Sequence, residues 1–165
     1  MAALTAARPQ LVASAQPMET IQKIAKNGST WKAGEFLRVD TSGYLVAIET
    51  DVFTNTGGLQ YYALADQADP GNATTLATVG IVTQDMEWEG NVLSGTVSDA
   101  NVGLEYGINV ASNVTTVDTG ETTNLAVTIT DVGPTFNPAQ YIAADTVARV
   151  RFKINADILE AARAS

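Results

Sequence analysis

Residues 32–48, KAGEFLRVDTSGYLVAI, carry the strongest local instruction in the chain. Two apolar runs, 35–39 and 44–48, flank Asp40-Thr41-Ser42-Gly43, and both are dense in β-branched and aromatic residues. Gly43 takes a positive φ without a Cβ clash, and Asp40 and Ser42 have short polar side chains that bond nearby backbone. The pattern predicts a β-hairpin with a short loop, entered at Gly34. Any fold for this chain must accommodate that strand pair.

The remaining segments follow the same style. Residues 59–65, 76–83, 108–111 and 124–130 read as strands, and 86–97 as two short strands split at Glu89-Gly90-Asn91. Gly80, inside a strand, signals a bulge or a close backbone approach. Residues 66–75 form a loop around Pro70-Gly71-Asn72, and 115–123 a turn with Gly120 at its tip. Residues 49–58 and 132–138 read as loops, and 99–107 as irregular. Residues 18–26 fit either helix or strand, and Trp31 reads as a core aromatic beside the hairpin. Within 141–154, Val150 and Phe152 alternate with Arg149, Arg151 and Lys153, giving one strand an apolar and a basic face. Asn155 is placed to cap a final helix at 156–164. The expectation is an all-β fold, a compact β-sandwich or β-barrel with an extended N-terminal arm and a short C-terminal helix.

The arm is residues 1–17, and 18–165 form a single β-rich domain. Pro9 and Pro17 interrupt any helix there. Ala13-Ser14-Ala15 imitates a cleavage site, but Arg8 falls where an apolar core would be needed. The apolar Leu4, Leu11 and Val12 are too few to offset ordering by themselves, so the arm is expected to be disordered until a partner covers it.

Composition removes whole classes of chemistry. The 165 residues include no cysteine and no histidine, so disulfides, thiolate or imidazole zinc sites, and Ser-His-Asp or Cys-His nucleophiles are absent within one chain. The carboxylate clusters are Asp66 with Asp69, Asp85-Met86-Glu87-Trp88-Glu89, and Asp118 with Glu121. They match no dedicated calcium loop. An extended 85–89 segment would put Asp85, Glu87 and Glu89 on one solvated face, with Met86 and Trp88 on the other. Paired-carboxylate hydrolysis is the one enzyme class the residue types allow, and no spacing selects a pair. No catalytic residue, metal site or cofactor is therefore expected. No apolar run is long enough to cross a bilayer as a helix.

Charge is sorted along the chain. All nine basic residues lie in the first 38 or the last 17 positions. The fourteen carboxylates from Asp40 to Asp145 have no Lys or Arg among them, which leaves the ends with nine cations against four carboxylates, a net +5. One reading is ordinary solvated surface. The other is a polar molecule whose basic ends meet a partner while Asp66, Asp69, Asp85, Glu87 and Glu89 face solvent. The acidic middle disfavours nucleic acid.

The hairpin also resembles a known family. Lys32-Ala33-Gly34-Glu35-Phe36-Leu37-Arg38-Val39-Asp40 followed by Ser42-Gly43-Tyr44-Leu45-Val46 resembles small bacteriophage head decoration, or capsid cement, proteins. Ala77-Thr78-Val79-Gly80-Ile81-Val82 is similar to a later strand of theirs. The resemblance covers about a third of the chain and does not reach 99–140. It implies a structural virion protein on the outer surface of an HK97-type shell, bracing neighbouring capsomers. It further implies that the partner is the major capsid protein and that the protein is a homotrimer, or failing that a homodimer. Nucleic acid and membrane are not implied partners. The residues expected to meet the capsid are Leu4, Arg8, Leu11 and Val12 of the arm, with the basic Lys23, Lys26, Arg149, Arg151 and Lys153. The competing reading is a β-rich receptor-binding, fibre or surface-adhesion module, which internal repeats or clustered aromatics would favour.

Overall fold

The computed structural model describes residues 7–48, 58–133 and 148–159. Eleven strands are present among them: β1 (Gln10–Ala13), β2 (Thr20–Ile24), β3 (Phe36–Val39), β4 (Leu45–Ala47), β5 (Tyr61–Ala63), β6 (Leu76–Ile81), β7 (Glu87–Asn91), β8 (Glu105–Ala111), β9 (Val114–Asp118), β10 (Val127–Val132) and β11 (Arg149–Ile154). They form two antiparallel sheets, in the orders β2-β6-β5-β3-β4 and β1-β7-β11-β10-β8-β9.

Each sheet curls until its ends meet. A parallel bridge from Ala25 to Leu45 joins the end of β2 to β4, and one from Val92 to Val117 joins the end of β7 to β9. The result is two five-stranded, partly closed barrels in tandem, with β1 added to the second. Their strand orders are the same: the first strand neighbours the fifth, then the fourth, second and third, and meets the third again at one end.

The correspondence extends to individual hydrogen bonds. Ala25 N–H donates to Thr75 C=O at 2.9 Å, and Val92 N–H to Ala148 C=O at 2.9 Å. Gly34 N–H donates to Ala63 C=O and Gly103 N–H to Ile129 C=O, both at 2.8 Å. Gln60 N–H to Leu37 C=O is matched by Ala126 N–H to Tyr106 C=O. The pairs Tyr61↔Ile81 and Val127↔Ile154 occupy the same register. Gly34 and Gly103 both have positive φ, 93° and 83°, where a Cβ would be strained. Most other equivalent positions differ in residue: Leu37 corresponds to Tyr106, Ala63 to Ile129, Val79 to Phe152. The chain is an internal duplication that keeps backbone pairing and apolar character but little identity.

The first barrel is filled by Leu37, Leu45, Tyr61, Ala63, Ala77 and Val79, with Trp31 2% exposed beside them. A larger core fills the second barrel and the junction, taking Phe36, Leu59 and Val82 from the first and Trp88, Ile129, Val150 and Phe152 from the second. Phe36, Tyr62 and Trp88 meet at the junction, with ring centroids 4.9 Å apart for Phe36–Trp88 and 4.7 Å for Tyr62–Trp88.

The all-β expectation and the hairpin hold. Asp40 Oδ1 accepts from the N–H groups of Ser42 (2.9 Å) and Tyr44 (3.0 Å), and Gly43 has a φ of 87°. Gly80 does mark a close approach, though by a side chain and neither by backbone nor through a bulge: the Met18 thioether lies where a Cβ would be. Of the two readings open for residues 18–26, helix or strand, the structure has the strand, β2, because β6 supplies five paired positions. Three expectations are corrected. Residues 87–91 form one strand and not two. Gly90 does not turn the chain but admits Phe152 and Pro9 against its backbone. Residues 114–118 are strand β9 and not turn, while the turn at Gly120 is present, with Glu121 N–H donating to Asp118 C=O at 3.1 Å; a second tight turn, Ser112-Asn113, with φ of 50° and 63°, joins β8 to β9. The residues are helical from 156 to 159, but the Asn155 side chain does not cap them. Its Oδ1 accepts from the Thr128 hydroxyl (2.7 Å), its Nδ2 donates to Glu105 (3.0 Å), and its backbone carbonyl accepts from Ile158 N–H (3.2 Å). The loops expected at 49–57 and 134–138, and the rest of the helix, lie outside the described residues.

The shared core should make the two barrels unfold as one cooperative unit. Trp88→Ala should cost about 3–5 kcal/mol, the usual range for a buried aromatic truncation, in urea unfolding of the full chain. Wild type should unfold in one transition by fluorescence and circular dichroism alike. Two separated transitions would show that the barrels fold independently.

Candidate interaction surface

The arm is not free along residues 7–17. β1 pairs with the edge of β7, setting Gln10 opposite Glu89 and Leu11 opposite Trp88, with an irregularity before Ala13. Pro9 is buried, and its carbonyl accepts from the Tyr62 hydroxyl at 2.7 Å. Leu11 packs against the main core, while Val12 remains exposed at 40%. The arm therefore gains its burial from its own body, because the aromatic junction presents a groove beside β7. This corrects the expectation that a partner is needed to order residues 7–17. Leu4 lies outside the described residues.

Arg8 is part of this seat. Its side chain crosses the backbone of Gly34, which has no Cβ to exclude it, and its Nε donates to Asn113 C=O at 2.9 Å. Asn113 Nδ2 in turn donates to Glu35 Oε1 at 3.1 Å, and the other carboxylate oxygen of Glu35 accepts from Lys32 N–H. Glu35 is 3% exposed. Arm, first barrel and the β8–β9 turn are linked through Arg8, Asn113 and Glu35. Sequence reading assigned nothing to Asn113 or Tyr62. The signal for Asn113 was present, since Ser-Asn between β-branched runs suits a two-residue turn with positive φ. Burial of Tyr62 pushes its hydroxyl pKa up.

The basic row on β11 has the alternation expected of it. Arg149, Arg151 and Lys153 are half-exposed, and Val150, Phe152 and Ile154 are buried. The neighbouring strand β7 sets Glu89 among them, with its carboxylate 3.2 Å from Arg149 Nε and 3.6 Å from Arg151 Nε. Arg149 Nε is at ion-pair distance but off the hydrogen-bond direction, so the attraction there is coulombic. Glu87, on the same strand, accepts from the Thr130 hydroxyl at 2.6 Å. Glu87 and Glu89 are thus half-buried partners of this face and not solvent-facing opposites of it. Lys153 has no ion-pair partner among the described residues. Lys23 and Lys26 are elsewhere, on and just after β2. Lys26 pairs with Asp40 at 3.1 Å, and the Lys23 ammonium lies 5.7 Å from the Tyr61 ring centroid. Among the described residues the basic groups of the two ends lie on different sheets, Lys23 on β2 and Arg149, Arg151 and Lys153 on β11.

The acidic residues clip loops. Asp66 accepts from Ala33 N–H and the Lys32 ammonium, Asp69 from the N–H groups of Gly71 and Gly28, and Asp85 from the Thr83 hydroxyl and Ala15 N–H. Glu121 accepts from the N–H groups of Asn124 and Thr123. These bonds favour the charged form and hold all four carboxyls below their ordinary values. Burial raises the Asp40 pKa, but the N–H groups of Tyr44 and Ser42 and the Lys26 ammonium together outweigh it, so Asp40 is also lowered. Among the described residues no group of three or more Asp or Glu is arranged to hold a metal ion, and no helix is long and apolar enough to cross a membrane.

Comparison with known proteins returned no matching family model, curated protein or solved structure.

The lowered carboxylates make stability acid-sensitive. Their folded-state pKa values lie below the ordinary 3.8 for Asp and 4.5 for Glu. The unfolded chain therefore binds more protons in that window. The contribution is complete above about pH 5, by the ordinary carboxyl range, and is lost as pH falls through the lowered values. The melting temperature should be level from pH 6 to 8 and fall steeply below pH 4. Asp85→Asn should lower it at pH 7 and soften the acid decline; an unaltered pH profile would remove Asp85 from this account.

Proposed function

We propose that this protein is a structural virion component that binds the outer surface of an assembled phage capsid and stabilises its capsomer junctions. The observation that carries the reading is the hairpin at 32–46, where the sequence resemblance to head decoration proteins lies. Gly34, Asp40 and Gly43 each perform there a backbone role that only those residue types perform easily. Two further features suit it. The described residues are two β-barrels with an extended arm, and several of their carboxylates fasten loops. The β11 face offers cations for a charged shell surface, with Lys153 the one not matched to a carboxylate among the described residues.

The internal duplication favours a second reading, a receptor-binding, fibre or surface-adhesion module, since repeated β units are a common way to build such proteins.

Addition of the purified protein to capsids that lack it separates the two. Cement binding should saturate at a fixed ratio to capsid subunits and raise the temperature at which the shells release DNA. Binding to cells or glycans, without saturable capsid binding, would establish the second reading instead. Because Glu89 already screens Arg149 and Arg151, Lys153→Gln should account for most of the loss in low-salt association rate seen in an Arg149→Gln, Arg151→Gln, Lys153→Gln triple variant. Rim charges act chiefly through association rate and salt dependence. Equal rates for wild type and the triple variant at low salt would exclude the basic row from capsid binding.

A further inference from the structure

The duplication exposes an asymmetry between two equivalent strand edges. In the second barrel, the main-chain groups of Glu87 and Glu89 point away from β11, because Val92 N–H, on the other parity, bonds to Ala148 next to β11. β1 occupies that outward edge. The equivalent residues of the first barrel are Thr20 and Gln22. Ile81 N–H donates to Glu19 C=O, and Ala25 N–H to Thr75 C=O, so odd positions of β2 bond towards β6 and even positions face outward. Among the described residues β6 is the only strand paired with Thr20–Ile24. Thr20, Ile21 and Gln22 are all exposed, Ile21 at 38% although its counterpart Trp88 is fully buried.

We infer that this edge is a self-pairing surface, on which β2 of a second copy of the chain adds antiparallel about a two-fold axis through Ile21. The sequence of the edge is Glu19-Thr20-Ile21-Gln22-Lys23, and its charges are complementary to themselves when reversed. Antiparallel pairing centred on Ile21 sets Glu19 opposite Lys23 of the second copy, Lys23 opposite its Glu19, and Thr20 opposite its Gln22. The hydrogen-bonding parity agrees. Thr20 and Gln22 carry the outward N–H and C=O groups, so the two Thr20–Gln22 pairs form the hydrogen-bonded rungs. Ile21 sits at the non-hydrogen-bonded position, where facing side chains come closest. Glu19, Ile21 and Lys23 share one side of the strand, which gives an apolar contact flanked by two ion pairs. A different register would lose either the rungs or the charge match. An isologous contact of this kind closes at two copies. The inference stands independently of capsid binding.

Light scattering of the full chain at low salt, as a function of concentration, tests it. Wild type should be a dimer. Glu19→Lys should weaken dimerisation by about tenfold or more, since two rim pairs turn from attraction to repulsion, each worth roughly 0–1 kcal/mol. Adding Lys23→Glu to that variant should restore the dimer, because the pairs are exchanged and not lost. Gln22→Pro removes an outward N–H while sparing the β6 ladder, and should leave a folded monomer by circular dichroism. The chain has no cysteine, so Ile21→Cys should give an oxidised dimer rapidly and Leu104→Cys, on another exposed surface, should not. A wild-type monomer at every concentration overturns the proposal. So does a dimer indifferent to the charge exchange and to the cysteine position, which would place the contact elsewhere.

Discussion

The contact of Phe36 and Tyr62 with Trp88 is what the arrangement of this molecule depends on. Each barrel can fill its own interior, but a five-stranded barrel of short strands has little volume to fill. Phe36 and Tyr62 face away from the first barrel and Trp88 sits at the mouth of the second. Their meeting converts two small cores into one continuous apolar body. It also creates the groove that seats the arm: the Tyr62 hydroxyl reaches Pro9, and Leu11 lies opposite Trp88. Arm, junction and second barrel are consequences of the same aromatic cluster.

Much of the local structure was legible in the sequence, since it is dictated by short-range chemistry. The hairpin was written in Asp40 and Gly43, the close approach in Gly80, and the two-faced strand in the alternation at 149–154. What could not be read arose from contacts between distant segments. β2 has no decisive periodicity, and β6 makes it a strand. Gly90 resembles a turn residue until Phe152 and Pro9 are seen above it. The duplication was invisible because a barrel constrains backbone pairing and apolar volume, which Leu37 and Tyr106 satisfy equally well. At the candidate surface, the alternation placed Arg149 and Arg151 on one face. Only the β7–β11 register could reveal that Glu89 lies between them.

The charge map changes meaning in three dimensions. Along the chain the acidic and basic residues are separated by up to a hundred positions, which suggests a molecule with two poles. In the fold, Lys26 meets Asp40, Lys32 meets Asp66, and Arg149 and Arg151 meet Glu89. Many carboxylates accept backbone N–H groups from loops, so the excess negative charge is in large part a set of loop fasteners. The net charge of −9 then bears on solubility and on long-range repulsion, whereas local recognition depends on the few groups left unmatched.

A tandem of equivalent barrels raises the question of why the stacking stops at two. The first barrel offers Phe36 and Tyr62 to its successor. The second barrel has Glu105 and Thr128 at the same two positions, paired in the same way. Asn155 bridges them, accepting from Thr128 and donating to Glu105. A head-to-tail contact repeated with the same operator would run on into a filament, so an apolar outer face on the second barrel would be a liability. The polar network satisfies that face internally and removes the aromatic rings that a third unit would need. The opposite end differs. β2 keeps an open edge and a partly exposed Ile21 where β7 has β1 and a buried Trp88. The outer face of the second barrel is satisfied by hydrogen bonds within the chain, while among the described residues the outward groups of Thr20 and Gln22 have no paired strand. Among the described residues that open edge is where the proposed self-pairing would form.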